Sequence, residues 1–595
     1  MGRKELDRLR RVPHLGVAAS VFNGVHHSRL EYLLLQCAVT GLVAKLHRRD
    51  EQLALSSKVP LAGIEDPVSS GEELLKVWFL LSNYGHAQYT YGVERSLLQQ
   101  AFDSQKVRDW LTDEIRPTDL RNWAKSTIED YRYPDFRYLI TLRRVSYLPP
   151  RDRRKARFAH YLRNLLLPLE TLFPADPVAR YKLGRLRNLF ARVRLLSMVA
   201  IDAHYSHHPV AINLNAAIIG LADLMPAATR NTGFDQVLRS AAAWLADELY
   251  LHPSAVAAQR EYELRFSRRF PPRFRDASNS NNLAGLLRDL MTDGLGPPKP
   301  QELMHLVRLT FPRPRTQLLS DRRTHYEASK QLAKEFGSFV SIDFNYYSGA
   351  IHVDLFLRRE TTSLRDVVHV YTKLQGWLLR GIEADTLARI RSFSLKKDER
   401  ERAKQRDLQR QLERHAPLLQ SIFDSLMRVF LQETHRGIVS EFAPGRRRVA
   451  PVLARLRMTD GTTLDTATPQ LRSALSSNPE THSAERLQEL RCLLHVLQST
   501  EAPFVLLCAD KFLVFDPFGK TVDEWDGVQI AISDSRVTVT VVEGKTGGTA
   551  AQREQAAFEQ LDSTRKLLCS KHRVQYRRRR LPRLGALLEL FASTG

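Results

Sequence analysis

Three residues near the C-terminus carry the most specific chemical pattern in this chain of 595 residues. In the segment EWDGVQIAISDSRVTVTVVEGKTGG, Asp526 opens one run of β-forming residues. Ser533-Asp534-Ser535 supplies a turn, and RVTVTVV leads into Glu543-Gly544-Lys545. If the two runs are neighbouring antiparallel strands, Asp526 and Glu543 meet near one end of the sheet. Residues two apart on a strand share a face, so Glu543 and Lys545 project the same way. That face would carry two carboxylates and an ammonium. Paired carboxylate oxygens suit Mg²⁺ or Mn²⁺, which keep several waters. Such an ion polarises a phosphodiester and lowers the pKa of a bound water. A lysine beside it can position or deprotonate that water and stabilise the charge that develops. The alternative reading of the same residues is a surface hairpin with solvated charges.

The elements that must position these residues form a compact block. A helix is expected over about Ala484–Gln498, then strands at Phe504–Cys508, Phe512–Phe515, Val528–Ser533 and Val537–Glu543, then a helix over Ala550–Leu568. This order predicts an α/β domain over residues 484–595. Over about Ala484–Leu568 the chain resembles the PD-(D/E)XK superfamily of nucleases, especially its restriction-type and RecB-like members. The resemblance implies a restriction-endonuclease-like fold in which Asp526 and Glu543 bind the metal and Lys545 assists catalysis. It also implies an accessory acid on the preceding helix, Glu485 or Glu489, and a glutamine on the following helix, Gln552 or Gln555. Beyond the site, KHRVQYRRRRLPR clusters Lys571, Arg573, Arg577, Arg578, Arg579 and Arg580 around Tyr576. Such cations can neutralise phosphates, and the tyrosine can stack on a base. A basic surface strand fits the same residues.

Upstream, residues 458–483 are rich in Thr, Ser, Asp and Pro and read as a linker. Residues 301–457 read as an α+β middle region. There Phe339–Phe344 and Ile351–Leu357 are strand-like, with a hairpin turn around Ser348-Gly349, and a charged helix covers about Leu395–His415. Residues 1–300 read as mostly helical. Apolar residues recur at helical spacing in Leu30–Leu46, Glu73–Leu81, Phe158–Leu172, Tyr181–Ile201 and Leu238–Tyr250.

In that helical region, LDRLRRVPHLGVAASVFNGVHHSRLEY resembles the opening of HD-domain phosphohydrolases, particularly the deoxynucleoside triphosphate triphosphohydrolase branch. LLSNYGHAQYTY and ADELYLHPSAVAAQREYE extend the resemblance in patches over about 1–270. The resemblance places Tyr32, Ser82 and Asn83 where the family has metal ligands, and Tyr91 where it has a further histidine. It retains His86 and leaves Asp202 as a surviving carboxylate. Ser, neutral Asn and a phenol are poor ligands for a divalent ion, and one carboxylate cannot hold a catalytic ion alone. The expectation is a degenerate HD-like domain without triphosphohydrolase activity, open to a nucleotide ligand or a homo-oligomeric role, with His27 and His86 serving packing or hydrogen bonding within the fold. His204, His207 and His208 form a second histidine cluster. Pro209 breaks the helix a metal-binding pair would need, so a structural loop is expected.

The bulk numbers agree with this organisation. The length calls for about three domains. A formal net charge of +23 and a pI near 9.9 make nucleic acid the expected partner, DNA before RNA. Four cysteines with no zinc-type spacing and no disulfide framework fit a reducing cytoplasm. The start, MGRKELDRLRR, lacks an apolar h-region, and no apolar run is long enough for a membrane helix. The expected whole is a Mg²⁺- or Mn²⁺-dependent deoxyribonuclease joined to a catalytically dead HD-like domain used for sensing or assembly. The architecture suggests bacterial defence against phage. The rival readings are a non-catalytic nucleic-acid-binding or regulatory protein, and an HD-type nucleotide phosphohydrolase.

Overall fold

The computed structural model describes residues 3–22, 24–46, 55–68, 70–148, 153–206, 213–223, 233–277, 280–297, 302, 303–312, 322–336, 339–345, 347–358, 364–391, 397–414, 419–420, 422–424, 426–427, 452–457, 461, 463–476, 483–509, 511–515, 520–533, 536–568 and 575–593. The chain divides into two compact units. Met1–His305, Thr310–Lys330 and Val340–Asp354 form the first; Leu306–Leu309, Gln331–Phe339 and Leu355–Gly595 form the second. The expected middle region, 301–457, is therefore split between the two. Among the described residues, no helix is long and apolar enough to cross a membrane.

The first unit is built on helices. Arg29–Leu46, Gly71–Tyr84, Tyr133–Ser146 and Pro177–Ser206 enclose a core that includes Trp78, Phe79, Leu139, Leu186 and Phe190. The expected helix Phe158–Leu172 is interrupted: Arg153–Leu166 ends, and Leu169–Leu172 restarts after Pro168. Proline has no N–H to continue the ladder and clashes with the preceding turn. Near the N-terminus, two chain segments pair at an isolated antiparallel bridge between Pro13 and Ser28. The His14 N–H donates to the His27 carbonyl at 2.9 Å, and the Arg29 N–H donates to the Val12 carbonyl at 2.9 Å. The bridge sets His14 beside His27.

The second unit holds a seven-stranded sheet. Its strands, in chain order, are β1 (Val452–Arg457), β2 (Thr463–Asp465), β3 (Phe504–Cys508), β4 (Gly527–Ser533), β5 (Arg536–Gly544), β6 (Gln575–Leu581) and β7 (Gly585–Ser593). Across the sheet they run β6-β7-β5-β4-β3-β1-β2, and each neighbouring pair is antiparallel. This corrects the α/β expectation. Parallel pairing needs a crossover of a dozen or more residues between neighbouring strands, whereas only two residues separate β4 from β5, and three separate β6 from β7. The unit is of α+β type, with helices laid on an antiparallel sheet. A separate two-stranded hairpin pairs Phe512–Phe515 with Thr521–Trp525.

Helix α1 (Ala467–Ser476) and helix α2 (Ala484–Gln498) cover one face of the sheet. Leu471, Leu490, Leu493, Leu497, Val505, Leu507, Val542 and Leu587 share a core there. Helix α3 (Ala550–Leu568) packs against β5, β6 and β7, burying Ala557 and Leu561 completely. Both sides of the central strands are thus buried, which explains their near-continuous Val/Ile/Leu runs.

The stretch 458–483 is not a linker throughout, because it contains β2 and α1. Asp465 fastens both. Its carboxylate accepts from Arg455 Nε at 2.8 Å, and it caps α1 by accepting from the Thr468 N–H at 2.9 Å. The Thr, Ser and Asp residues that read as a loop serve here as a short edge strand and a helix cap.

Candidate functional site

The site is made by the facing ends of β4 and β5. Gly527 pairs with Val542 and Val528 with Val541, so the next step of the same register sets Asp526 opposite Glu543. Asp526 lies in the bend between Trp525 and β4. Trp525 is wholly buried and stacks on Phe512 with ring centroids 5.1 Å apart. Its indole N–H donates to Asp523 at 2.8 Å, and Asp523 also accepts from Thr564 of α3 at 2.7 Å. This anchor fixes where the chain enters β4 and so where the Asp526 side chain starts. Asp526 Oδ2 then accepts from the Gly544 N–H at 2.8 Å, tying one carboxylate across to the end of β5.

Glu543 is 0% exposed. Neither of its carboxylate oxygens has a hydrogen-bond partner among the described residues. Lys545 Nζ lies 3.3 Å from Glu543 Oε2, an ion-pair distance without hydrogen-bond alignment, and Lys545 is 30% exposed. Burial, and then the neighbouring Asp526 charge, push the Glu543 carboxyl up to about 9, against the opposing pull of Lys545. A buried carboxylate with no donor is costly, and two carboxylates side by side compound the cost. A divalent cation removes both penalties. The donor set is all oxygen, as Mg²⁺ or Mn²⁺ prefers.

Two close approaches bring α2 onto these strands. A Cβ on Gly527 would lie 2.5 Å from Leu493 Cδ2, and one on Gly544 would lie 3.2 Å from the Glu489 backbone. Without side chains at these two positions, the helix settles against the strand ends. Of the two accessory acids expected, Glu489 is the one brought near. It is buried, its Oε2 is 2.8 Å from Arg486 Nη1, and burial followed by the Asp526 charge raises its pKa. Glu485 is exposed in the first turn of α2. The two glutamines are engaged elsewhere. Gln552 Oε1 accepts from the Thr549 N–H at 2.8 Å at the start of α3, while Gln555 donates to Glu559 at 2.7 Å and accepts from Arg580 at 2.9 Å.

Sequence reasoning missed two neighbours. Lys511 pairs with Glu524 at 2.6 Å, and its pKa is raised by that bond and, more weakly, by Glu489 and Asp526. Cys492 is buried beside the carboxylates, and burial with the Asp526, Glu489 and Glu543 charges pushes its thiol up to about 12. The only available signal was helical spacing: Cys492 falls one turn beyond Glu489.

Tyr576 and Arg577–Arg580 lie on β6, an edge strand. Alternation splits them between two faces. Arg578 turns toward α3, bonding Asp562 at 2.6 Å and lying over Phe558, and Arg580 lies over the same ring. Arg577 and Arg579 project to the opposite side and are exposed. Lys571 and Arg573 lie outside the described residues.

In the first unit, Tyr32 donates to the Arg194 carbonyl at 2.9 Å. Ser82 donates to the Phe79 carbonyl at 2.9 Å, and Asn83 donates to Gln36 at 3.1 Å and to the Phe79 carbonyl at 2.9 Å. His86 Nδ1 sits 2.8 Å from Glu94. Burial and nearby arginines hold this histidine well below its usual range, and burial pushes Glu94 up to about 7. Asp202 is not alone, contrary to expectation. His27 Nε2 lies 2.9 Å and His14 Nε2 3.6 Å from its Oδ1, and Tyr250 donates to its Oδ2 at 2.6 Å. His27 thus makes a hydrogen bond within the fold, as expected, whereas His14 was not singled out by any spacing. His204 lies in the last turn of Pro177–Ser206; His207 and His208 lie outside the described residues.

Set against known proteins, the sequence matches no family model and no curated protein.

Proposed function

We propose that the second unit is a metal-dependent nuclease that hydrolyses phosphodiester bonds of DNA, of the PD-(D/E)XK kind its residues resemble. The observation that carries this reading is Glu543: wholly buried, with no hydrogen-bond donor on either oxygen among the described residues, beside Asp526 and Lys545. Asp526 and Glu543 would hold Mg²⁺ or Mn²⁺, with Glu489 as a nearby third carboxylate. When bound, the ion supplies Lewis acidity toward the phosphate and an acidified water. The Gly544 N–H holds Asp526 in place. Lys545, the half-buried member of the group, orients the attacking water and offsets the negative charge that builds on the phosphoryl oxygens. The exposed Arg577 and Arg579 would track the backbone by charge.

The test is incubation of plasmid and single-stranded DNA with the purified chain and Mg²⁺ or Mn²⁺. Cleavage by the native protein, lost in Asp526→Asn and Lys545→Ala, is the expected result. Equal cleavage by all three, or none by any, overturns the reading. The helical first unit then serves sensing or assembly, and the role in defence against foreign DNA is tested by phage challenge. Cells carrying Lys545→Ala should lose the resistance that cells carrying the native protein show.

A further inference from the structure

We propose that the first unit holds a second metal site, made by His14, His27 and Asp202, that binds zinc or another late first-row divalent ion. The inference is independent of the nuclease reading, since none of these residues belongs to the second unit. The three side chains are the group of histidine, cysteine or acidic residues that converges among the described residues, with ligand atoms all within 4.8 Å of one another. All three are buried: His14 is 2% exposed, His27 1% and Asp202 0%.

Three observations point to a ligand rather than to packing. First, the buried His14 Nδ1 and Nε2 and His27 Nδ1 have no hydrogen-bond partner among the described residues, which is costly for polar nitrogens away from water. Second, the spacing fits. Metal–nitrogen and metal–oxygen bonds of about 2.0–2.2 Å in a tetrahedral site separate ligand atoms by roughly 3.4 Å. The two nitrogen–oxygen separations, 2.9 and 3.6 Å, bracket that value. Third, the ligands are held in advance. The backbone bridge between Pro13 and Ser28 fixes His14 and His27 side by side, and Tyr250 takes Asp202 Oδ2, leaving Oδ1 to the imidazoles. Tyr205 stacks on the His27 ring at 4.7 Å and Tyr32 lies 4.3 Å from the His14 ring.

The donor set selects the ion. Two imidazoles and one carboxylate suit zinc, cobalt or nickel and are a poor match for Mg²⁺ or Ca²⁺, which prefer oxygen. Three protein ligands leave a fourth position for water.

The test uses the full chain carrying Asp526→Asn and Glu543→Gln, so that the carboxylate pair of the second unit cannot contribute. After chelator treatment it is titrated with Co²⁺, whose visible absorption is intense in a four-coordinate nitrogen–oxygen site. One absorbing Co²⁺ per chain, displaced by Zn²⁺ and not by Mg²⁺, is expected. Adding His27→Ala should abolish the band. Because that change also removes a buried ring, Asp202→Asn and Tyr250→Phe are titrated alongside, with circular dichroism as the check on folding. Tyr250→Phe removes only the bond that orients Asp202, and it should weaken Co²⁺ about 10- to 100-fold. An absence of Co²⁺ absorption in the parent protein, or an unchanged band with Asp202→Asn and Tyr250→Phe, overturns the proposal.

Discussion

Glu543→Gln isolates the electrostatic cost of building the carboxylate pair. Glu543 rises from 4.5 to about 9 on folding, through burial first and the Asp526 charge second. A group whose pKa is raised on folding contributes stability that is fully present below its unfolded pKa and is lost as pH climbs toward the folded value. At pH 7 the unfolded chain has shed the proton and the folded chain still holds it. With 1.36 kcal/mol per unit over the interval from 4.5, the native protein in chelator should be less stable at neutral pH than at pH 4.5 by about 3 kcal/mol from this group alone. Glutamine keeps the shape and cannot ionise, so Glu543→Gln should lack that slope. The assay is urea unfolding of both proteins in chelator at closely spaced pH values between 5 and 9. The difference between the two curves cancels groups the substitution leaves untouched. With Mn²⁺ at a hundredfold excess over Kd the native protein gains roughly 2.7 kcal/mol, which offsets most of that loss, and the variant gains little. Parallel stability profiles for the two proteins from pH 5 to 9 in chelator would refute the argument that burial and the Asp526 charge outweigh the pull of Lys545 on Glu543.

Three further outcomes follow from particular contacts. Gly527→Ala pushes a methyl to 2.5 Å from Leu493 Cδ2 and should cost about 1–3 kcal/mol of stability by overpacking, read as a lower urea midpoint; an unchanged midpoint would show that α2 does not rest tightly on β4. Arg577→Ala and Arg579→Ala should each weaken DNA binding and lower the slope of log affinity against log salt by about 0.7–0.9, whereas an unchanged slope removes the exposed face of β6 from the interface. Cys492, with its thiol pushed up to about 12, should resist a thiolate-directed alkylating reagent at pH 8 in the folded protein and react once urea unfolds it; rapid labelling in the folded state would contradict its burial.

What the sequence by itself determined was local. The alternation of Val537, Val539 and Val541 with Thr538 and Thr540, closed by turn residues ahead of it, is enough to pair β4 with β5. That pairing, with only two residues between the strands, sets Asp526 against Glu543 because antiparallel strands joined closely have little freedom to slip. The periodicity of the N-terminal helices was legible for the same reason, since a 3.6-residue repeat is written in neighbouring positions.

Tertiary structure decided everything that depended on distant partners. Glu485 and Glu489 look alike on paper, and only the seating of α2 on Gly544 separates the exposed one from the buried one. Gln552 and Gln555 were plausible until a helix cap and an edge-strand arginine claimed them. Residues 458–483 read as a linker because Thr, Ser and Asp serve caps and edge strands as readily as loops, and only the pairing of β2 with β1 distinguishes the uses. The His14, His27 and Asp202 cluster was the least legible. His27 and Asp202 stand 175 residues apart in the chain. No local spacing encodes such a meeting, because it is made by a backbone bridge at one end of the unit and a long helix arriving from elsewhere.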